Sequence, residues 1–398
     1  NKIEFIGPSP DAIYKMGNKT IARKIALAHN IPVAMGSEGN ISNEEEAIAV
    51  AEKIGYPVII KAASGGGGRG MRIVRKSEEM EKLFVIASKE AEKAFKDPSV
   101  FIEKYIENPK HIEFQILGDK KGNVIHLGER ECSIQRKHQK LLEEAPSGAL
   151  DDRLREIMGS TAVRIAKAVG YYSAGTVEFL LDSEKNFYFM EMNTRIQVEH
   201  PVTEVITGID LIEQQIRIAK GEELKIRQED IKLSGWAIEC RINAEDVQAG
   251  FAPDPGKIDK LSLPSGPNIR IDTGVQAGSS IVPNYDSMIA KLIVSGKNRK
   301  EAIKNCKMAL DKVWIKGTKT TLPFFRMLVR NQKFQDGDFT TAFIEKDLEK
   351  YYYNSEYEEM LAAWLATKLF VEENLQETSI QIDFENGKEL SPWLLNKR

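Results

Sequence analysis

Residues 176–204, TVEFLLDSEKNFYFMEMNTRIQVEHPVTE, decide how this chain is read. Residues 177–181 are β-branched and apolar apart from Glu178, and residues 187–192 are aromatic-rich. Asp182-Ser183-Glu184-Lys185-Asn186 between them is a turn signal, so the pair predicts a β-hairpin. A turn centred between Glu184 and Lys185 sets Glu178 directly opposite Glu191. Asn193, two residues further on, shares their face. Like charges opposed on a sheet destabilise it. Either this face is solvated and the charges never meet, or a hard cation such as Mg²⁺ or Mn²⁺ neutralises them. Arg195, Gln197 and Glu199 continue the i, i+2 spacing, which favours the built site.

Upstream, residues 111–117 alternate polar and apolar, the pattern of a half-buried strand, and 124–130 pair with them across a turn at 119–123. Residues 136–140 pack Arg136, Lys137, His138 and Lys140 ahead of Glu143 and Glu144, an anion-binding constellation or an ordinary charged turn. Helices are expected at 152–169 and 210–219. Further upstream, the apolar strand 57–61 ends in Lys61 and is followed by Ser64-Gly65-Gly66-Gly67-Gly68-Arg69-Gly70-Met71 and a strand at 72–74. Strand, glycine loop, strand is neither the dinucleotide order nor a Walker A loop. It suits a lid whose backbone N–H groups cover phosphates, the alternative being a flexible linker. Ser42 and Glu45 read as a capping box for a helix at 44–54. Helix 77–95 and strand 101–105 complete this unit. Residues 3–6 read as a short strand, and Asp11 as the cap of a helix that is broken near Gly17 and carries Lys19.

Downstream, 236–246 reads as a strand carrying Arg241. Short strands at 269–271, 280–283 and 288–294 and helices at 298–313 and 322–330 make a mixed region. Residues 346–398 change character, with Tyr351-Tyr352-Tyr353, an amphipathic helix at 356–373 and a strand at 380–384.

With 398 residues the prior is two to three domains. A net charge of −3 argues against a general nucleic-acid binder. Cys132, Cys240 and Cys306 are too few and too far apart for a disulfide framework or a zinc site, and suggest a reducing compartment, cytoplasmic or mitochondrial matrix. No apolar run approaches the ~18 residues of a membrane span.

The run 61–71, Glu103-Lys104-Tyr105, Glu129 through Lys140, Glu191 through His200 and Glu239 through Glu245 together resemble the ATP-grasp biotin carboxylases over residues 3–345. The resemblance implies an α/β (α+β) architecture: an ATP-grasp fold with a mobile glycine-loop lid and a C-terminal biotin-carboxylase α+β domain. It divides the chain into a remnant of the N-terminal domain with a linker helix (1–33), lid subdomain (34–105), large subdomain (106–232), C-terminal domain (233–345) and a linker or next module (346–398). Family members begin with a Rossmann-like domain that this stretch lacks, so Ile3, Phe5 and Ile6 are expected to be exposed. The tail through Trp393 resembles α subunits of propionyl- or methylcrotonyl-CoA carboxylases. It does not resemble a stand-alone acetyl-CoA carboxylase component.

By the same resemblance, ATP, bicarbonate and biotin on a separate carrier give ADP, phosphate and carboxybiotin by way of carboxyphosphate. Lys19, Lys61 and His138 would meet ATP phosphates under the lid of Gly66, Gly67, Gly68, Gly70 and Met71. Glu103, Lys104 and Ile106 would line the adenine pocket, His111 would reach the ribose, and Gln135 belongs to the same ATP set. Glu178, Glu191 and Asn193 would hold the metal, the two carboxylates also counting as ATP contacts. Lys140, Arg195, Gln197 and Val198 would grip bicarbonate, Glu199 would deprotonate it, and Arg241 would stabilise the biotin enolate. The partners implied are a second copy of the chain, a biotin carboxyl carrier domain and a carboxyltransferase subunit, without nucleic acid or membrane. Other readings are the corresponding component of acetyl-CoA or pyruvate carboxylase, another bicarbonate-activating ligase such as carbamoyl-phosphate synthetase, or a nucleotide-binding subunit without catalysis.

Overall fold

The computed structural model describes residues 3–63, 71–348 and 363–370. The chain forms two compact units, Asn1–Lys350 and Tyr351–Arg398.

The first unit opens without a strand: residues 3–6 find no strand partner among the described residues, and Ile3 and Phe5 are 87% and 66% exposed. Helices α1 (Pro10–Gly17) and α2 (Lys19–Ala28) follow. Ser9, not Asp11, caps α1 by accepting from Ala12 N, and Asp11 sits in the first turn, where a carboxylate suits the helix dipole. Asn18 interrupts the pair and caps α2 by accepting from Ile21 N.

Next come α3 (Glu44–Ile54), β1 (Val58–Ala62), β2 (Arg72–Val74), α4 (Met80–Phe95) and β3 (Val100–Lys104). The antiparallel order is β2-β1-β3, and small residues of both helices (Ala47, Ala51, Ala87, Ala91) pack against it. The expected cap of α3 is displaced by one residue. Asn43 accepts from Glu46 N while Glu46 reaches back to Ser42 N, the same reciprocal pattern one step along. The glycine loop, Gly66, Gly67, Gly68 and Gly70 included, lies outside the described residues.

The main sheet is built from β4 (Lys110–Gly118), β5 (Val124–Arg136), β6 (Gln139–Ala145), β7 (Ser173–Leu181), β8 (Phe187–Asn193) and β9 (Trp236–Asn243), with α5 (Asp152–Ala168), α6 (His200–Thr207) and α7 (Leu211–Ala219) between strands. The minor strands β10 (Glu245–Asp246), β11 (Ala252–Pro253), β12 (Gly256–Lys257) and β13 (Lys260–Ser262) lead to β14 (Ile269–Thr273), β15 (Ser280–Ile281) and β16 (Met288–Gly296). Then come α8 (Arg299–Lys312), β17 (Trp314–Lys316), α9 (Leu322–Leu328) and α10 (Gln332–Asp336). The eight-stranded order is β14-β16-β9-β6-β5-β4-β7-β8, so the sheet runs on across residue 232.

Helix α5 covers one face. Ile112, Phe114, Ile116, Val177 and Phe179 meet its Met158, Ala162 and Ile165, and Phe114 and Phe179 pack edge to face at 6.2 Å. Burying an aliphatic or aromatic side chain of this size is worth ~1.5–3 kcal/mol, so this contact set anchors the sheet. The opposite face is buried as well, which corrects the half-buried expectation for β4: His111, Glu113 and Gln115 are at most 5% exposed. The i, i+2 spacing also stops at Asn193. Residues 194–199 turn, and α6 begins at His200-Pro201, a helix whose proline stands where its missing N–H is harmless.

Among its described residues the second unit shows a helix at 363–370, inside the expected 356–373. The tyrosine run 351–353 and the strand 380–384 lie outside the described residues.

Candidate active site

The hairpin forms as its sequence predicts, with a bulge between Glu178 and Phe179 that shifts the register by one residue. Glu178 pairs with Glu191 and Thr176 with Asn193. The hairpin forms one wall of a cavity of about 1050 Å³, whose other walls come from α2, β1, β3, β5, β6 and β9. That is room for a nucleotide and a second substrate together.

The floor is a buried ionic lattice. Lys140 on β6 donates to Glu113 (2.5 Å), Glu178 (2.9 Å) and Glu199 (2.8 Å). Burial alone would lower this ammonium, but the three carboxylates outweigh it and hold it well above the usual lysine range. Glu178 also accepts from Asn193 (2.8 Å) and Gln197 (2.9 Å), and its other oxygen lies 2.9 Å from His111 Nε2. Burial would raise Glu178, yet Lys140 and His111 keep it well below the usual carboxylate range, so it stays ionised. With Nε2 on Glu178, only Nδ1 of His111 remains for the expected ribose contact.

Glu199 is gripped from two sides, by Lys140 at 2.8 Å and by Arg241 at 2.8 Å. Burial would raise its carboxyl, but Lys140, Arg241 and Arg130 outweigh that and hold it below the usual range. A carboxylate so paired is a poor base until a bound anion draws one of the cations away. An anion that seats on Lys140 would do this, coupling its binding to the basicity of Glu199.

At the end where adenine is expected, Glu103 takes Arg23 (2.7 Å) and Lys61 (2.6 Å). Lys104 Nζ donates to the carbonyls of Gly55 (2.9 Å) and Tyr56 (3.1 Å). Both side chains are therefore engaged, and the strand backbone is what this hinge offers a base. Ile106, Gln135 and Met71 line the same cavity. Lys19 lies 3.5 Å from Glu191. His138 sits at the β5–β6 turn with φ +65. Burial lowers its pKa, and the positive charges of Lys61 and Lys19 act in the same direction. Arg195 is exposed, with Nη1 on its neighbour's carbonyl at Ile196 (3.2 Å), and is among the residues that line the cavity. Val198 also lines the cavity, and its carbonyl accepts from Lys291 (2.9 Å).

The expected metal ligands pass a chemical test. Two carboxylates opposed in register and an amide oxygen form an all-oxygen set suited to Mg²⁺. Asn193 uses its NH₂ on Glu178, which leaves its oxygen as the ligand atom. Glu178 is shared with the group His111–Glu113–Glu178, and Lys140 already supplies positive charge there and in the group Glu113–Cys132–Glu199.

Sequence reasoning missed the support behind this floor. Arg130 has no exposure and donates to Glu113 (2.5 Å), Gln115 (2.7 Å), Thr203 (2.9 Å) and Thr176 (3.1 Å). It thereby ties β4, β7 and α6 to one guanidinium. The signal for Glu113 was present, since His111, Glu113 and Gln115 share one face by alternation. For Arg130, flanked by two glutamates, local sequence gives none.

Residues 18–227 match the family described as carbamoyl-phosphate synthase L chain, ATP binding domain, and residues 239–346 match the biotin carboxylase C-terminal domain. Biotin carboxylase 1 of Bacillus subtilis is 55% identical over 344 residues, 86% of this chain and 76% of the relative. A pyruvate carboxylase subunit of Methanothermobacter thermautotrophicus is 53% identical, covering 86% of this chain and 70% of the relative. Among solved structures, the biotin carboxylase domain dimer of Hydrogenobacter thermophilus 2-oxoglutarate carboxylase, in complex with MgADP, ADP and bicarbonate, superposes with a TM-score of 0.85. It is 52% identical, over 86% of this chain and 76% of that one. These relatives belong to the alternative set out above, not to the propionyl-type α subunit that the tail had suggested.

Proposed function

We propose, from the premise that this chain belongs to the biotin carboxylase family, that it carboxylates biotin on a separate carrier protein, using ATP and bicarbonate, as the first half-reaction of a multi-component carboxylase. It is an ATP-grasp ligase. The observation that carries the reading is the grip of Lys140 and Arg241 on Glu199 at the cavity wall.

Lys140, Gln197 and the fork of Arg195 receive bicarbonate, and a fork suits a planar oxyanion. Glu199, released from one cation, takes the bicarbonate proton, and the oxyanion attacks the γ-phosphorus as ADP leaves. Lys19, Lys61 and His138 meet the phosphates. A metal held by Glu178, Glu191 and Asn193 offsets charge on the transferring phosphoryl group. Carboxyphosphate breaks into CO₂ and phosphate, phosphate takes the ureido proton of biotin, and the ureido nitrogen attacks CO₂. Arg241 stabilises the enolate oxygen in that step. MgADP and bicarbonate bound in the Hydrogenobacter relative support the nucleotide, the metal and the anion. The pyruvate and 2-oxoglutarate carboxylase relatives support a carrier and a carboxyltransferase as partners, and the dimer of the latter supports a homodimer. The final acceptor is chosen by the carboxyltransferase.

ATP cleavage that depends on bicarbonate and rises with free biotin tests this directly. Stimulation by ammonia instead of biotin would assign the chain to carbamoyl phosphate chemistry. For the metal set, Glu191→Gln should lower turnover far more than adenine-nucleotide affinity measured by titration calorimetry. Equal turnover in variant and parent removes Glu191 from that set.

A further inference from the structure

Beneath α6 lies a pair of carboxylates that no step above uses. Glu143 on β6 and Glu239 on β9 are directly opposed in register, and neither is exposed. Residues opposed in this way hold their Cβ atoms ~4.5–5.5 Å apart, within reach of one another's carboxyl groups. Arg241, two residues on from Glu239, brings a single nitrogen to 2.6 Å from Glu143 Oε1 and 2.8 Å from Glu199 Oε2. Its N–H is aimed at Glu199. Glu143 lies off that direction though within ion-pair reach, and apart from this contact no hydrogen bond reaches either oxygen of Glu143 or of Glu239 among the described residues.

The surrounding cations are committed elsewhere. Lys140 serves Glu113, Glu178 and Glu199. Lys291 on β16 donates to the Val198 carbonyl and meets Asp272 at 3.3 Å. Arg270 on β14 is held by Glu204 of α6 and by Asp272, and Arg130 by Glu113. His200, also on α6, faces Glu204 at 3.9 Å. Val202, Ile206, Ala237 and Ile293 form an apolar cluster between α6 and this part of the sheet. Two carboxyls facing each other in such a setting, with half of one arginine between them, cannot both be ionised cheaply. Burial pushes Glu143 up to about 7. Burial, with the charge of Glu143 added, pushes Glu239 well above the usual carboxylate range.

We propose that Glu143 and Glu239 hold one proton in common and through it position Arg241 between Glu199 and the substrate oxyanion. This rests on the roles given above to Arg241 and Glu199. With the proton in place the pair carries one negative charge, and Arg241 divides its attraction between Glu143 and Glu199. When the proton leaves, a second negative charge draws the guanidinium away from Glu199. Both are positioning residues, since neither touches the reacting atoms.

The test uses the 398-residue chain. Infrared spectroscopy should show a protonated-carboxyl C=O band at neutral pH that disappears as the pH rises, and this titrating component should be missing from both Glu239→Gln and Glu143→Gln. The pH profile of biotin-dependent ATP turnover should fall on its alkaline side in the parent. In Glu239→Gln, whose amide keeps the pair at one charge, that limb should move up by about one pH unit or more, roughly tenfold in rate at a fixed pH on the limb. A parent without the band, or a band unchanged in both variants, overturns the shared proton. An unmoved alkaline limb in a folded Glu239→Gln overturns its link to Arg241. Absence of biotin-dependent turnover in the parent at every pH counts against the functional reading, and the infrared result then still decides whether the proton is shared.

Discussion

One strand pair, β5 and β6, carries buried charge on both its faces, and the two faces use it differently. On the α5–α8 face each arginine serves chiefly one carboxylate. Arg155 chelates the buried Glu129 through Nε at 3.0 Å and meets the exposed Asp152 at 2.8 Å, and Arg299 grips Glu144 at 2.8 Å while donating to the carbonyls of Phe334 and Gln335. On the cavity face the cations are shared: Lys140 among three carboxylates, and Arg241 between two. A cation with one partner fixes a helix to a sheet. A cation with several can shift toward an incoming anion while its remaining partners keep it in place. The difference between the two charge clusters lies in how many buried carboxylates each cation serves.

The largest effect should come from Arg130, the strut beneath the shared face. Arg130→Met leaves Glu113 to Lys140 alone and strips Gln115, Thr176 and Thr203 of their donor, and breaking such a buried ion pair typically costs ~3–5 kcal/mol, read as a shift in urea midpoint. Arg155→Met on the other face should be milder, ~1–3 kcal/mol, as for a lost charged hydrogen bond. There burial raises the pKa of Glu129 even against Arg155, so this carboxyl can protonate when its partner is lost. Equal losses in the two variants would erase the distinction between the faces.

A smaller, pH-dependent difference sharpens the contrast. Glu199 has a lowered pKa in the fold, so its stabilisation is present above the ordinary carboxylate range and is lost as pH falls through the folded value. The deficit of Glu199→Gln in melting temperature should therefore be largest above about pH 5 and shrink in acid. Glu129 has a raised pKa, so it binds more proton in the fold than unfolded, and stability declines as pH rises from the ordinary range through the raised value. Relative to the parent, Glu129→Gln should therefore gain as pH rises. Parallel curves for the two variants would show that both clusters respond alike.

Local sequence carried the hairpin well: a five-residue turn between two β-branched and aromatic runs places the strands, and a bulge between Glu178 and Phe179, which the turn does not encode, brings Glu178 opposite Glu191. It carried Lys140, Gln197, Glu199 and Arg241 through the resemblance of their motifs. It did not carry the struts. Arg130 meets Thr176 and Thr203, 46 and 73 residues away, and Glu143 meets Glu239 across a pairing of strands 96 positions apart. These contacts depend on strand order, which alternation within one strand does not encode. The continuous i, i+2 reading beyond Asn193 failed because Pro201 and the cluster after it start a helix, and that turn is what swings Glu199 over Lys140.

The shared-cation account is tested most directly by following both half-reactions in Arg241→Ala. Lys140 remains to receive bicarbonate, so bicarbonate-dependent ATP cleavage should stay near the parent's rate. Carboxylation of biotin should fall roughly 10²- to 10³-fold, the effect of removing one oxyanion donor. An equal fall in both would contradict the account, since Arg241 would then act on bicarbonate activation and not on the enolate.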